Sequence, residues 1–166
     1  MATGTGWFRR MEVWLSTSAV RHAVEGDLEQ LLQLYQHLHL SDPPLTVDTS
    51  VRQLWSQILA DNKMHILVAV AEAGLVASCV LVVVPNLTRG ARPYGLIENV
   101  VTRAEMRRKG YGRTVLEGAL AIAWRNNCYK VMPMTGNASA LQFYRQCGFV
   151  QGVKTGLVAY PEQSAN

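Results

Sequence analysis

The chain has 166 residues, of which 49% are hydrophobic and 17% are charged, and its formal net charge is +4. This length and composition predict one globular domain with a single core, and they exclude a disordered chain. Five basic residues lie between Arg103 and Arg113 against one acid, Glu105, so we expect a compact anionic ligand as the partner and no nucleic acid.

Residues that could bind a metal or form disulfides are sparse. Cys79, Cys128 and Cys147 are odd in number and widely spaced, which indicates buried thiols rather than a disulfide framework. His37 and His39 lie two residues apart on a predicted helix, so they point to different sides of it. We therefore expect no metal site.

The apolar run from Met64 to Val84 is long enough to raise the question of a membrane span. Glu72 and Gly74 interrupt it near its middle, so two strands joined by a tight turn explain it better. The N-terminus lacks the apolar core and the cleavage site of a signal peptide. We expect no membrane partner and a cytoplasmic location.

The domain organisation is simple, with no internal repeat and no low-complexity segment. Residues 1–17 show no convincing period and are interpreted as an N-terminal extension of uncertain structure. A single domain is predicted over residues 18–162, and residues 163–166 form a tail.

The first half of the domain predicts a strand followed by two helices. Ala19–Ala23 has the pattern of a short strand. Asp27 is the expected N-cap of the first helix, with Gln30 three residues later as a variant of the capping box. A loop at Ser41–Pro44 separates this helix from a second one over residues 49–60.

The middle of the chain predicts the centre of the sheet. Residues 64–71 and 75–84 form a hairpin whose second strand is almost continuously apolar. A polar loop at Asn86–Arg92 leads into a strand over residues 93–102. An amphipathic helix follows over residues 112–126.

The last third predicts a strand at Tyr129–Met134, placed parallel to the previous strand because a helix separates the two. A helix starts at Asn137, and Gly148 supplies its left-handed C-terminal position. Phe149–Gly152 and Lys154–Tyr160 are interpreted as two final strands. Their exposed sheet edge would offer a route to a homodimer.

The stretch from Ile97 to Trp124 carries the strongest chemical signal, because it runs from a strand through a basic glycine turn into a helix. The amides and dipole at a helix N-terminus, with nearby cations, favour a polyphosphate. Gly110 and Gly112 lack a Cβ atom, so the backbone can turn tightly and a ligand can approach it closely.

Two motifs in this order resemble the GNAT superfamily of acyl-CoA-dependent N-acetyltransferases. The first is Arg107-x-x-Gly110-x-Gly112, and the second is Asn137 followed by Phe143-Tyr144 and Gly148-Phe149. The resemblance covers roughly residues 19–160. It implies an α/β (α+β) fold with a central, mixed, mostly antiparallel sheet of six to seven strands. That sheet would contain a parallel central pair and be flanked by about four helices.

Within the superfamily, Ile97–Val101 and Cys128–Lys130 are similar to glucosamine-6-phosphate N-acetyltransferases. Those enzymes have an Asp where this chain has Asn99, and an acidic residue on the next strand where this chain has Pro133 and Met134.

The resemblance implies transfer of an acetyl group from acetyl-CoA, as co-substrate, to a primary amine of a small molecule. Backbone groups of β-strand residues would bind the pantetheine arm, and the glycine turn would bind the pyrophosphate. The residues expected at the cofactor are Val100, Val101, Thr102, Arg107, Arg108, Lys109, Gly110, Tyr111, Gly112, Arg113, Thr114, Asn137 and Phe143.

Glu98 and Tyr144 are the expected catalytic residues. Glu98 is the candidate general base for the amine, and Tyr144 is the candidate general acid for the leaving thiolate. The Val100 amide is the candidate donor to the acyl oxygen. Strict alternation places Glu98 and Val100 on one face of the strand, although a bulge would change that.

Other functions stay open at this point. A non-catalytic acyl-CoA sensor would keep the cofactor site without the chemistry, and a peptide or protein N-acetyltransferase would differ only in its acceptor. A dinucleotide oxidoreductase would need a third glycine where Val115 stands. Arg89 and Arg92, in the loop expected to border the acceptor, would favour an acidic group on that acceptor.

Overall fold

The computed structural model describes residues 19–38, 43–153 and 155–161. The predicted extension at 1–17, the tail at 163–166 and His39 lie outside these ranges, as do Ser41, Asp42 and Lys154. The predicted single domain over residues 18–162 stays a prediction.

In the described residues, five strands form one sheet in the order of the sequence. They are β1 (Ala19–His22), β2 (Met64–Ala71), β3 (Gly74–Val84), β4 (Tyr94–Thr102) and β5 (Val131–Pro133). The pairs β1–β2, β2–β3 and β3–β4 are antiparallel, and the pair β4–β5 is parallel. The mixed sheet and the parallel crossover are therefore confirmed.

The prediction of six to seven strands is wrong for the part of the chain that the structure describes. Residues 149–153 and 155–161, where two further strands were expected, have no strand partner. The side chains of Val150 and Leu157 are 79% and 91% exposed, so burial of these side chains does not favour an extended strand here. The described residues of this segment therefore form no sheet edge, and the homodimer stays a prediction.

Within the ranges that the structure describes, five α-helices accompany the sheet. They are α1 (Leu28–Tyr35), α2 (Thr49–Ala60), α3 (Thr88–Ala91), α4 (Tyr111–Arg125) and α5 (Ala140–Gln146). Single 3-10 turns precede α1 and α4, at Glu25–Asp27 and Ala104–Met106. The helix α3 lies in the predicted polar loop and is irregular, since Arg89 and Gly90 have φ values of 57° and 70°.

The expected capping role of Asp27 is wrong. Its carboxylate accepts hydrogen bonds from the Val24 N–H at 2.8 Å and from the Arg21 guanidinium at 2.5 and 2.9 Å. Gln30 does not complete a capping box, because its Oε1 accepts from the Leu75 N–H at 3.0 Å. Asp27 occupies the predicted N-cap position of α1, but its side chain ties the 3-10 turn to β1 instead of capping that helix.

Two apolar clusters hold the layers together. The α4-side cluster joins α4 to one face of the sheet and includes Leu116, Ala119, Cys79, Leu81 and Ile97. The α1/α2-side cluster covers the other face and includes Leu31, Leu34, Trp55, Val80 and Val101. Each fully buried leucine stabilises the fold by about 1.5–3 kcal/mol. The two clusters therefore hold helices against both faces of the sheet.

Gly118 lies inside α4 where an alanine would favour the helix. A Cβ atom built there would come within 3.2 Å of the Leu67 Cδ1 and 3.3 Å of the Val20 Cγ1. The glycine therefore lets α4 approach the sheet closely.

Candidate active site

An opening lies where β4 and β5 separate. β5 pairs with β4 only from Gly95 to Ile97, so β4 from Glu98 to Thr102 has no β5 neighbour. The backbone groups on this edge of β4 lack ladder partners and can accept an extended ligand by strand addition. This opening lies directly before the glycine turn and α4.

A β-bulge interrupts the other edge of β4 at the same level. Glu98 lies opposite Val80, and Val101 lies opposite Ser78, so three steps on β4 match two steps on β3. Asn99 carries the distortion, with a φ of 51°. Asparagine is one of the few residues besides glycine that enter this left-handed region readily.

The bulge changes which side chains share a face. Val100 packs against the α4-side cluster, whereas Val101 belongs to the α1/α2-side cluster. Glu98, opposite Val80 of that second cluster, shares the face of Val101 and is exposed. The expectation from strict alternation that Glu98 and Val100 share a face is wrong, because the extra residue reverses the alternation.

Tyr144 lies on α5 in an aromatic cluster, half-buried between Phe143 and Phe149 at ring-centroid distances of 5.3 and 5.8 Å. Burial raises the pKa of the Tyr144 hydroxyl, and the nearby charge of Glu98 raises it further. Tyr144 therefore stays protonated at neutral pH. The Glu98 charge is near enough to affect the pKa of Tyr144, although 46 positions separate the two residues in sequence.

The glycine turn takes the tight backbone path that was expected from its glycines. Arg108 and Gly110 have φ values of 60° and 92°, and α4 begins at Tyr111. The Arg107 Nε donates to the carbonyl of Thr102 at 3.2 Å, which anchors the turn to the end of β4. The side chains of Arg108 and Lys109 are exposed.

The start of α4 offers backbone donors. The Thr114 N–H and its Oγ1 both donate to the Gly110 carbonyl at 3.0 Å. The N–H groups of residues 111–113 precede this first intrahelical donor and are therefore available to a ligand. A Cβ atom at Gly110 would meet nothing within 4 Å. Arg113 points elsewhere, because its Nη2 donates to the Gln146 carbonyl at 3.2 Å.

Three residues expected at the cofactor meet beside the turn. A Cβ atom at Gly112 would lie 3.0 Å from the Thr102 Oγ1 and 3.3 Å from the Phe143 Cζ. Gly112 therefore allows α4, β4 and α5 to converge. The Asn137 Oδ1 accepts from the Ser139 N–H and Oγ at 2.9 and 2.7 Å, so its side chain orders the turn before α5.

The expected arginines of the acceptor pocket lie elsewhere. The Arg92 guanidinium donates to the carbonyls of Asn127 and Cys128, and the Arg89 guanidinium lies 6.0 Å from the Tyr129 ring centroid. Their loop adjoins the start of β4, about 13 Å along the strand from Glu98 at roughly 3.3 Å per residue. A cavity of about 750 Å³ borders this loop, so it is not at the opening beside Glu98.

One polar residue near the bulge escaped the sequence analysis. Ser78 lies opposite Val101 within the apolar strand β3. It is fully buried, and among the described residues its Oγ has no hydrogen-bond partner. A hydroxyl in an otherwise apolar strand was the signal that could have marked this place.

Neither a membrane-spanning helix nor a metal-binding group occurs in the described ranges. None of the helices there is long and apolar enough to cross a membrane. Those residues also include no group of three or more His, Cys, Asp or Glu side chains that could hold a metal ion.

Comparison with known proteins identifies the architecture. A sequence model described as "Acetyltransferase (GNAT) family" matches residues 28–149. The glucosamine 6-phosphate N-acetyltransferase of Trypanosoma brucei brucei is 30% identical over 125 residues, which span 75% of this chain and 84% of that protein.

Solved structures show the same similarity. A chain from Agrobacterium tumefaciens strain C58, named as an acetyltransferase, is 46% identical, with a TM-score of 0.81 over 86% of this chain and 99% of that one. A Bacillus halodurans chain named as a transcriptional regulator is 26% identical, with a TM-score of 0.78 and the same coverage. The family matched over residues 28–149 and the shared fold agree with the motifs read from the sequence. The chain belongs to the GNAT family of acetyltransferases.

Proposed function

We propose that this acetyltransferase moves an acetyl group directly from acetyl-CoA to the primary amine of a small molecule. The observation that carries the proposal is the opening at Glu98–Thr102, where β4 leaves β5 and bulges. Unpaired strand backbone and the Glu98 carboxylate lie there, Tyr144 is near enough for that charge to raise its pKa, and a helix N-terminus suited to an anion follows.

The residues of the glycine turn fit the cofactor that the family uses. Gly110 has a φ of 92° and open space at its Cβ position, so the backbone can lie against a bulky anion. The amides of Tyr111 and Gly112, with the exposed cations of Arg108 and Lys109, would hold the pyrophosphate. When bound, acetyl-CoA supplies an acetyl group that its thioester activates.

The strand before the turn would hold the remainder of the cofactor. The unpaired edge of β4 at Val100–Thr102 would bind the pantetheine arm in the manner of an added strand. The Val100 N–H would donate to the acyl oxygen and stabilise negative charge there. Phe143 and Thr102 would border this arm, because they meet at Gly112.

The two catalytic residues would move protons on opposite sides of the opening. A free alkylamine is mostly protonated at pH 7, since its pKa is about 10. A Glu98 carboxylate oxygen would accept that proton, directly or through a water molecule. The Tyr144 hydroxyl, protonated because its pKa is raised, would donate to the leaving sulfur.

The acceptor is proposed as a small amine because a relative with 30% identity is named for glucosamine 6-phosphate. This chain carries Asn99 and Pro133 where the sequence analysis expected acidic residues of that subgroup. Arg92 is occupied by backbone carbonyls, so it does not supply a phosphate contact beside Glu98. Glucosamine 6-phosphate and glucosamine are therefore the first pair of acceptors to compare.

The test is an acetyl-transfer assay on the full chain with acetyl-CoA and a panel of amino sugars, polyamines, amino acids and peptide N-termini. We expect one small-molecule class to be acetylated. Acetylation of peptides alone would redirect the proposal to a peptide N-acetyltransferase. Binding of acetyl-CoA, seen as about 2.7 kcal/mol of stabilisation at 100 times Kd, without any transfer would identify a sensor.

A further inference from the structure

The helix α5 carries Tyr144, but its own packing fixes it only weakly. It has seven residues, and none of them is fully buried. Phe143 and Tyr144, with the following Cys147, pack against the α4-side cluster as partly buried side chains. A helix of this length is not stable by itself in water. The position of Tyr144 therefore depends on what attaches α5 to the rest of the domain.

The C-terminal turn of α5 is closed by a Schellman motif. The Phe149 N–H donates to the Tyr144 carbonyl at 3.1 Å. The Gly148 N–H donates to the Arg145 carbonyl at 3.0 Å, and Gly148 has the positive φ, 90°, that the motif needs. The rings of Tyr144 and Phe149 make the apolar contact that accompanies the motif, at a centroid distance of 5.8 Å. These bonds leave the carbonyl of Gln146, the last residue of α5, without a partner inside the motif.

Arg113 supplies that missing partner from another helix. Its Nη2 donates to the Gln146 carbonyl at 3.2 Å, across 33 positions of sequence. In the part of the chain that the structure describes, this is the only hydrogen bond that joins α5 to another helix or strand. A cation at a helix C-terminus is also favoured by the helix dipole. Arg113 therefore caps α5 from the first turn of α4, which begins at Tyr111.

The first turn of α4 contacts α5 at a second point. A Cβ atom at Gly112 would lie 3.3 Å from the Phe143 Cζ, so the ring lies directly against this glycine. Phe143 and Gln146 are three residues apart, so they share one face of α5. Gly112 and Arg113 therefore fix that face over one helical turn. The same turn of α4 offers the amides that are proposed to hold the pyrophosphate.

We propose that Arg113 is a positioning residue, which binds no phosphate but holds the last turn of α5 against the first turn of α4 and so fixes the Tyr144 hydroxyl at the opening beside β4. This inference rests on the proposed function, because Arg113 acts through Tyr144. The attachment of α5 is a separate physical claim that can be measured without any acceptor.

A phosphate-binding role for Arg113 makes a different prediction. Loss of a phosphate contact would weaken acetyl-CoA binding and leave kcat unchanged once the enzyme is saturated. Loss of the α5 attachment would lower kcat and leave binding almost unchanged. It would also expose Tyr144, so the pKa that burial raises would fall toward about 10. The alkaline limb of the kcat profile would then move to lower pH.

The experiment compares four variants of the full chain. Arg113→Met removes the donor and the charge but keeps a long side chain, and Arg113→Lys restores one donor. Arg108→Met removes an exposed cation of the glycine turn. Arg125→Met removes an exposed cation in the last turn of α4 and is the matched control. The readouts are amide hydrogen exchange at residues 147–149, the Kd of acetyl-CoA by calorimetry, and the pH profile of kcat with the amine that is acetylated fastest.

We expect Arg113→Met to speed exchange at residues 147–149 about threefold to tenfold, the range for one net hydrogen bond. The kcat should fall by a similar factor while the Kd changes less than about twofold. Arg113→Lys should recover part of both losses. Arg108→Met should raise the Kd and leave the exchange unchanged. Arg125→Met should leave all three readouts unchanged.

Weaker acetyl-CoA binding with unchanged kcat in Arg113→Met would overturn the inference and assign Arg113 to a phosphate. Unchanged exchange at residues 147–149 would also overturn it, as would faster exchange throughout the sheet, because Arg113 would then support the fold in general. An inactive wild-type protein would refute the proposed function. The exchange and binding measurements would still decide whether Arg113 anchors α5.

Discussion

Gly112→Ala tests how closely the glycine turn joins β4 and α5. The added Cβ atom would lie 3.0 Å from the Thr102 Oγ1 and 3.3 Å from the Phe143 Cζ. Alanine gains up to about 1 kcal/mol of helix propensity over glycine, and less than that in the first turn. Overpacking costs about 1–3 kcal/mol, so we expect a net loss of stability of roughly 1–2 kcal/mol.

Denaturant unfolding measures this loss, and a thermal scan should show about 2–4 °C per kcal/mol for a chain of this length. Because Thr102 and Phe143 border the proposed cofactor site, the affinity for acetyl-CoA should fall in parallel. Gly26→Ala is the control, since a Cβ atom there meets nothing within 4 Å and stability should change by less than about 0.5 kcal/mol. An increase in the stability of Gly112→Ala would refute the reasoning, because helix propensity would then outweigh the contacts.

Three further substitutions probe the site and the fold. Tyr144→Phe should keep acetyl-CoA affinity and lower kcat by roughly 10²–10⁴-fold, as expected for loss of a general acid; unchanged kcat would remove that role. Glu98→Gln should reduce the rate most at low pH, where the amine is mostly protonated; an equal rate at every pH would show that solvent deprotonates the amine. Asp27→Asn should cost about 1–3 kcal/mol at pH 7, because Arg21 loses its ionic partner and one amide oxygen replaces the two carboxylate oxygens that accept from Arg21 and the Val24 N–H. The Arg21 hydrogen bond lowers the pKa of Asp27, so this stabilisation is complete above the unfolded pKa of about 3.9 and is lost as pH falls through the folded pKa. Urea titrations of both proteins should therefore converge in acid, and a constant difference would contradict the assignment.

Elements with strong local patterns were predicted well from the sequence. The hairpin of β2 and β3 follows from its apolar runs and the turn before Gly74. The glycine turn and α4 follow from Gly110 and the apolar spacing, and their bounds differ from the prediction by one residue at each end. The parallel order of β4 and β5 follows from the intervening helix.

Features that depend on distant partners were not predictable in this way. The bulge at Asn99 arises from the register between β3 and β4, so alternation along one strand could not reveal it. Asp27 looked like an N-cap locally, but Arg21 on β1 takes its carboxylate. The prediction of two final strands was wrong, because an apolar pattern at Val150 or Leu157 does not itself provide a neighbouring strand.

The candidate site shows the same division between local and distant information. Gly110, Gly112 and Tyr144 were found by motif, because the motif preserves chemistry at fixed spacing. Ser78 was not, because the bulge beside it depends on the register between β3 and β4.

The most direct test of the account follows an isotope-labelled acetyl group by mass spectrometry. The full chain is incubated with labelled acetyl-CoA and the amine panel, and free CoA thiol is measured in the same samples. We predict a labelled amide on a small-molecule amine, formed in equal amount with free CoA and reduced in the Tyr144→Phe variant. Bound acetyl-CoA with neither labelled amide nor released thiol would contradict the account.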